Sequence, residues 1–128
     1  MKLDILDSSA WLECLEDGPN VVHFGPILRK LPNLIIPCIV ITEVRKVALK
    51  DRTQDKADKV TNSMRSGIVV PANEEISVLA ADLFIKYHLP LADSIIYATT
   101  LSQKATLWTQ DDDFKGLPHV KYFPKIKP

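Results

Sequence analysis

The chain has 128 residues, 46% of them hydrophobic, and its 16 basic residues balance its 16 acidic ones to a formal net charge of zero. That length suits one compact domain, residues 1–128, with an ordinary core, and leaves little room for a second. The apolar stretches are too short and too broken by Pro or charge to span a bilayer, and Met1-Lys2 leads into a strand without the order of a secretory signal, so a cytoplasmic protein with no membrane partner is expected.

Periodicity predicts the elements in turn. Leu3, Ile5 and Leu6 form a short strand that stops at Asp7, and Ser8 or Ser9 can cap a helix carrying Ala10, Trp11, Leu12 and Leu15. Asp17-Gly18-Pro19 closes it, and a second helix spans roughly 21–31 before Pro32 and Asn33. Leu34 to Ile36 and, after Pro37, Cys38 to Ile41 make a nearly continuous β-branched run, as in a parallel strand covered on both faces. Thr42 then caps the next helix and places Glu43 in its first turn.

That helix runs through Val44, Val47 and Ala48 into a polar stretch, with a loop or a further helix up to Ser66. Ile68 to Val70 is a third strand. Asn73 caps a helix whose buried stripe is Ile76, Leu79, Ala80, Leu83, Phe84 and Tyr87. Pro90 opens another, with Asp93 in its first turn and Leu91, Ile95, Ala98, Leu101 and Ala105 as its stripe. Ala105–Thr109 and Val120–Phe123 are the last strands. Strands alternating with helices imply a mostly parallel central sheet with helices on both faces, whose sites lie outside the carboxyl ends of the strands.

Asp7, Glu43 and Asp111 each follow a different strand at that edge, and Asp93 is delivered to it by a helix start. Singly each has an ordinary explanation: a helix cap, a solvated first-turn acid, a turn residue, a dipole partner. Together four carboxylates repel one another and should take up protons or bind cations. Oxygen ligands without His or Cys favour Mg²⁺ or Mn²⁺. Cys14 and Cys38 have no ligand spacing and read as buried free thiols. His23, His88 and His119 read as surface or structural, and Trp11, Trp108, Phe84 and Phe114 as core.

Charge is unevenly spread. Residues 45–65 hold Arg45, Lys46, Lys50, Arg52, Lys56, Lys59 and Arg65 against three acids, and Lys115, Lys121, Lys125 and Lys127 follow with none, while the rest of the chain is strongly acidic. A basic rim around an acidic centre suits a polyanion held beside cations, with Arg45, Lys46, Lys50 and Arg52 as RNA-binding candidates; a solvated helix face is the plainer reading.

The segments LDSSAW, ITEV, LADSIIYATT and LWTQDDDFKGL resemble, in order and spacing, the motifs of the PIN domain, and the layout is most similar to VapC-type toxins. The resemblance implies a three-layer α/β/α fold and a metal-dependent ribonuclease with catalytic and metal-ligating residues Asp7, Glu43, Asp93 and Asp111. It makes Asp113 an outer ligand, and matches Ser9 and Thr109 to hydroxyl positions that orient the site. It also implies RNA as substrate, one or two Mg²⁺ or Mn²⁺ ions, 5′-phosphate and 3′-hydroxyl products, a cognate antitoxin and a homodimer. Two other classes stay open: another Mg²⁺-dependent phosphohydrolase, disfavoured because Ser-Ser follows Asp7 where a second acid is expected, and an inactive module that binds RNA or protein.

Overall fold

A computed structural model describes residues 2–51 and 53–127. Strands β1 (Asp4–Leu6), β2 (Ile35–Pro37), β3 (Ile68–Val70), β4 (Thr106–Thr109) and β5 (Val120–Tyr122) form one sheet in the order β3-β2-β1-β4-β5. Every pairing is parallel, with Ile5 opposite both Ile35 and Leu107. Helices α1 (Ser8–Leu15), α2 (Val21–Leu28), α3 (Cys38–Asp51), α4 (Gln54–Arg65), α5 (Glu74–Tyr87) and α6 (Leu91–Ser102) connect the strands and cover the sheet in three layers. The expected mostly parallel α/β/α architecture is what forms.

Ile5, Leu6, Ile35, Ile36 and Leu107 are fully buried in the sheet and pack under Val40, Val44, Phe24, Ile96 and Ala98 from the helices. β3 is an edge strand and leaves Ile68 and Val69 exposed. Its entry at Gly67 passes so close to β2 that a Cβ there would lie 2.7 Å from the Leu34 carbonyl oxygen. The chain steps outward from β1 through β2 to β3 and then crosses back to β4 on the other side of β1, and this reversal opens a crevice at the carboxyl ends of β1 and β4.

Several boundaries differ from the sequence reading. Cys38 to Ile41 is helix, not strand: β2 ends at Pro37, and Val40, Val44 and Ala48 form one buried stripe at i, i+4 and i+8. Thr42 is therefore no cap, and Glu43 sits in the second turn of α3. A short apolar run bears no period that separates strand from buried helix, which is why it misled. The cap of α1 is Asp7, not Ser8 or Ser9; its carboxylate accepts from the Ala10 N–H. The second helix ends at Leu28, three residues short of the expectation.

Helix α6 packs against α5, α3 and β4, so its burial is broad rather than a stripe. Leu91 is 67% exposed and Ala105 lies past the helix, while Ser94, Thr99 and Thr100 are buried. Their hydroxyls return to the carbonyls of Leu91, Ile95 and Ile96 at 2.6 to 3.0 Å, which satisfies polar groups that the helix buries. Phe84 is exposed rather than core, because α5 buries Ile76, Ala80 and Leu83 instead. Both cysteines are free but only half-buried, and burial pushes the Cys14 thiol up to about 11. His23 stacks on Phe123 at 4.0 Å, and His88 closes α5 in the left-handed region.

Candidate metal centre

The end of β1 delivers Asp7 into the crevice, where it is 2% exposed. Its Oδ1 accepts from the Ala10 N–H at 2.9 Å and from Ser9 Oγ at 2.8 Å, and its Oδ2 accepts from Thr109 Oγ1 at 2.6 Å. Thr109 Oγ1 in turn accepts from the Asp111 N–H at 2.9 Å, so one hydroxyl couples two of the acids. Ser9 also lies 3.4 Å from Thr109. The two hydroxyl residues picked out in the sequence thus hold Asp7 in a single orientation.

Beyond β4 the chain turns into a short 3₁₀ helix, Asp112–Phe114, capped by Asp111, whose carboxylate accepts from the Asp113 N–H at 2.9 Å. Phe114 is fully buried and anchors this turn. The turn sends Asp113, itself exposed, back toward the first turn of α6, where Asp93 stands, and leaves Asp112 exposed outside that group. One carboxylate oxygen from each of Asp93, Asp111 and Asp113 lies within 4.8 Å of the others. Glu43 and Asp7 are not in that triplet. Glu43 instead accepts from Ser8 Oγ at 2.6 Å, a partner the sequence reading missed although Ser8 adjoins Asp7.

Electrostatics joins all five acids. Burial pushes Asp93 up to about 8, and the negative charges of Asp111, Asp7, Glu43 and Asp113 add to the shift. The first turn of a helix favours a carboxylate, so crowding and burial here outweigh the dipole. Asp7 rises to about 6, mainly by burial and against its hydrogen bonds from Thr109, Ala10 and Ser9. Asp113 is raised as well, by burial and then by Asp111 and Asp112. Burial, with the neighbouring negative charges, raises the proton affinity of Asp7, Asp93 and Asp113, which makes them donors from which a hard divalent cation displaces protons, and the all-oxygen lining fits Mg²⁺ or Mn²⁺.

Not every buried acid joins the site. Asp4, at the other end of β1, is ion-paired with Lys30 at 2.6 Å and accepts a hydrogen bond from the Trp108 Nε1–H at 2.8 Å. An apolar cleft of about 370 Å³ lined by Trp11, Leu28 and Val60 contains none of the acids. A smaller cleft of about 250 Å³, lined by Gln110, Asp111, Asp112, Tyr122 and Lys125, opens beside the centre.

The basic candidates separate by helix geometry. Lys46 and Lys50 are exposed and lie at i+3 and i+7 from Glu43, on the same face of α3. Arg45 points elsewhere and is bonded to Thr61 at 2.8 Å and Asp58 at 3.0 Å on α4. Arg52 lies outside the described residues.

Residues 5–120 match the model of the PIN domain. The chain belongs to the PIN domain family. Among solved structures, this PIN domain is similar to a toxin–antitoxin complex from Klebsiella pneumoniae, with TM-score 0.80 and 22% identity over 96% of this chain and 99% of that one. It is similar to DNA-bound VapBC from Salmonella typhimurium, with TM-score 0.76 and 13% identity over 97% and 98% of the two chains. It is also similar to VapC20 of Mycobacterium tuberculosis, a sarcin–ricin-loop-cleaving toxin, with TM-score 0.72 and 14% identity over 98% and 99%. A search of curated protein sequences gave no match. At such identities the structural likeness speaks to the fold, and among the described residues no helix is long and apolar enough to cross a membrane.

Proposed function

We propose that this PIN domain is a metal-dependent endoribonuclease that hydrolyses RNA phosphodiester bonds as the toxin of a type II toxin–antitoxin pair. The observation that carries the reading is the convergence of Asp93, Asp111 and Asp113 within 4.8 Å beside buried Asp7 at the crevice of a parallel sheet. Asp7, Glu43, Asp93 and Asp111 would hold one or two Mg²⁺ or Mn²⁺ ions, with Asp113 beside them. A divalent ion bound there supplies charge neutralisation at the scissile phosphate and lowers the pKa of the attacking water.

The chain's own groups account for the rest. Thr109 and Ser9 fix the Asp7 carboxylate, and Ser8 fixes Glu43, so the ligands are oriented before anything binds. Lys46 and Lys50 extend from the Glu43 face of α3 and would track the phosphates of the bound strand. His23 stacks on Phe123, His88 closes α5 and His119 stands in an exposed left-handed turn before β5, so the reading assigns no imidazole to acid–base chemistry through the RNA 2′-hydroxyl, and 5′-phosphate and 3′-hydroxyl ends are expected.

The toxin assignment draws on the family and on neighbours whose structures are toxin–antitoxin complexes. With it come a cognate antitoxin as partner, a homodimeric assembly and a cytoplasmic setting. The test is incubation of the purified protein with a structured RNA and with a generic phosphomonoester, in EDTA and in Mg²⁺ or Mn²⁺. Cleavage of RNA alone, only with metal, and lost in Asp93→Asn is expected. Turnover of the phosphomonoester would make it another phosphohydrolase, and tight RNA binding without cleavage would make it a binding module.

A further inference from the structure

A second constellation lies behind the metal centre, built from residues that the nuclease chemistry does not use. Asn20 is 1% exposed and Gln110 7%, and every side-chain N–H of both amides has an acceptor. Asn20 Nδ2 donates to Gln110 Oε1 at 3.0 Å and to the Pro124 carbonyl at 2.9 Å. Gln110 Nε2 donates to the Ser9 carbonyl at 3.3 Å and to Glu13 Oε1 at 3.4 Å, and its backbone N–H to Ser9 Oγ at 3.3 Å. The other oxygen of Glu13 accepts from the Asn20 backbone N–H at 2.8 Å. The loop from α1 lies so tightly on that carboxylate that a Cβ at Gly18 would fall 2.3 Å from Glu13 Oε1.

We propose that Glu13, Asn20 and Gln110 form a positioning clamp that sets the spacing between two sides of the metal site, to which α3 and α6 separately bring Glu43 and Asp93. One side, Asp7 and Ser9, rides on the N-terminus of α1; the other, Thr109, Asp111 and Asp113, rides on the exit of β4. Gln110 stands between Thr109 and Asp111, and because side chains alternate along a strand it faces α1 while its neighbours face the acids. Among the described residues, the short Thr109–Asp7 bond and the longer Ser9–Thr109 contact also cross this gap, and a small slide of α1 would stretch both. Asn20 extends the same clamp to the segment after β5 through Pro124. Buried amides satisfied on every N–H resist such a slide in a way that apolar contacts, which tolerate sliding, do not.

The clamp rests on the metal reading above, and a Mn²⁺ titration of the full chain by calorimetry separates the two. Gln110→Leu and Asn20→Ala change no charge, so any change in affinity is positional. Melting in EDTA first fixes a temperature at which each variant is folded. At that temperature Mn²⁺ affinity is expected to fall on the order of 10-fold in either variant. Val60→Ala, in the buried α4 face that lines the apolar cleft with none of the acids, should lower the melting temperature and leave Mn²⁺ affinity as it was. If Gln110→Leu does not fold, Asn20→Ala decides alone. Wild-type affinity in the folded variants would overturn the clamp while sparing the metal site; no Mn²⁺ binding by the wild type would remove both.

Discussion

Thr109 shows how much of the centre hangs on one hydroxyl. It donates to Asp7 at 2.6 Å and accepts from the Asp111 N–H at 2.9 Å, so it serves both acids at once. Thr109→Val keeps the shape and removes both bonds, and Mg²⁺-dependent cleavage should fall on the order of 10-fold to 100-fold, recovered in part by raising the metal concentration. No recovery at any concentration would assign Thr109 a role beyond orienting Asp7. The three successive acids of the next turn should rank unequally. Asp111 caps the turn and meets Asp93, Asp113 joins them, and Asp112 is exposed. Alanine at Asp111 is expected to cost most, at Asp113 an intermediate amount and at Asp112 almost nothing, measured as turnover on one RNA; Asp112→Ala as the worst of the three would refute this geometry.

At the scale of elements, α3 matters most, because it brings Glu43 and a basic track together on one face. Replacing Lys46 and Lys50 by Gln removes two charges, so log affinity against log salt should flatten by about 1.4 to 1.8. Arg45→Gln should leave that slope alone, since its guanidinium is engaged with Thr61 and Asp58. A slope altered only by Arg45→Gln would reverse the assignment. This helix is also where the sequence was hardest to read. Its first turn, Cys38–Ile41, is apolar and β-branched, and only the stripe continuing through Val44 and Ala48 betrays the helical period. Caps, by contrast, were legible when a side chain had a single reachable donor, as with Asn73 and the Ile76 N–H. Asp7 was harder because it is cap and site acid together. Glu13, Asn20 and Gln110 carry no local signal, since their bonds span up to 104 residues and depend on how α1 packs on β4.

For the whole molecule, the order β3-β2-β1-β4-β5 sets the crevice, and the alternation of apolar runs made that architecture readable. The acids that line it should leave a mark on stability. In the fold Asp7 is raised to about 6 and Asp93 to about 8 from the ordinary carboxylate value of 3.8. The folded metal-free protein therefore holds more protons than the unfolded chain between those limits, and stability from these groups is lost as pH rises from about 4 through about 8. The melting temperature in EDTA should be lower near pH 8.5 than near pH 5.5, and Mg²⁺ or Mn²⁺ should recover the loss. In Asp93→Asn, which needs no proton, the metal-free protein should melt higher than wild type at neutral pH. A flat or rising profile would mean that the carboxylates are not crowded as described.

The central claim is that acids separated by as many as 106 residues in sequence form one divalent-metal centre in a PIN nuclease. Anomalous scattering from crystals soaked in Mn²⁺ addresses it most directly. The account predicts a peak coordinated by Asp93 and Asp111, within reach of Asp7 and Asp113, and absent in Asp93→Asn crystals treated alike. A peak held by other residues, or none under conditions where RNA is cleaved in a Mn²⁺-dependent way, would contradict it.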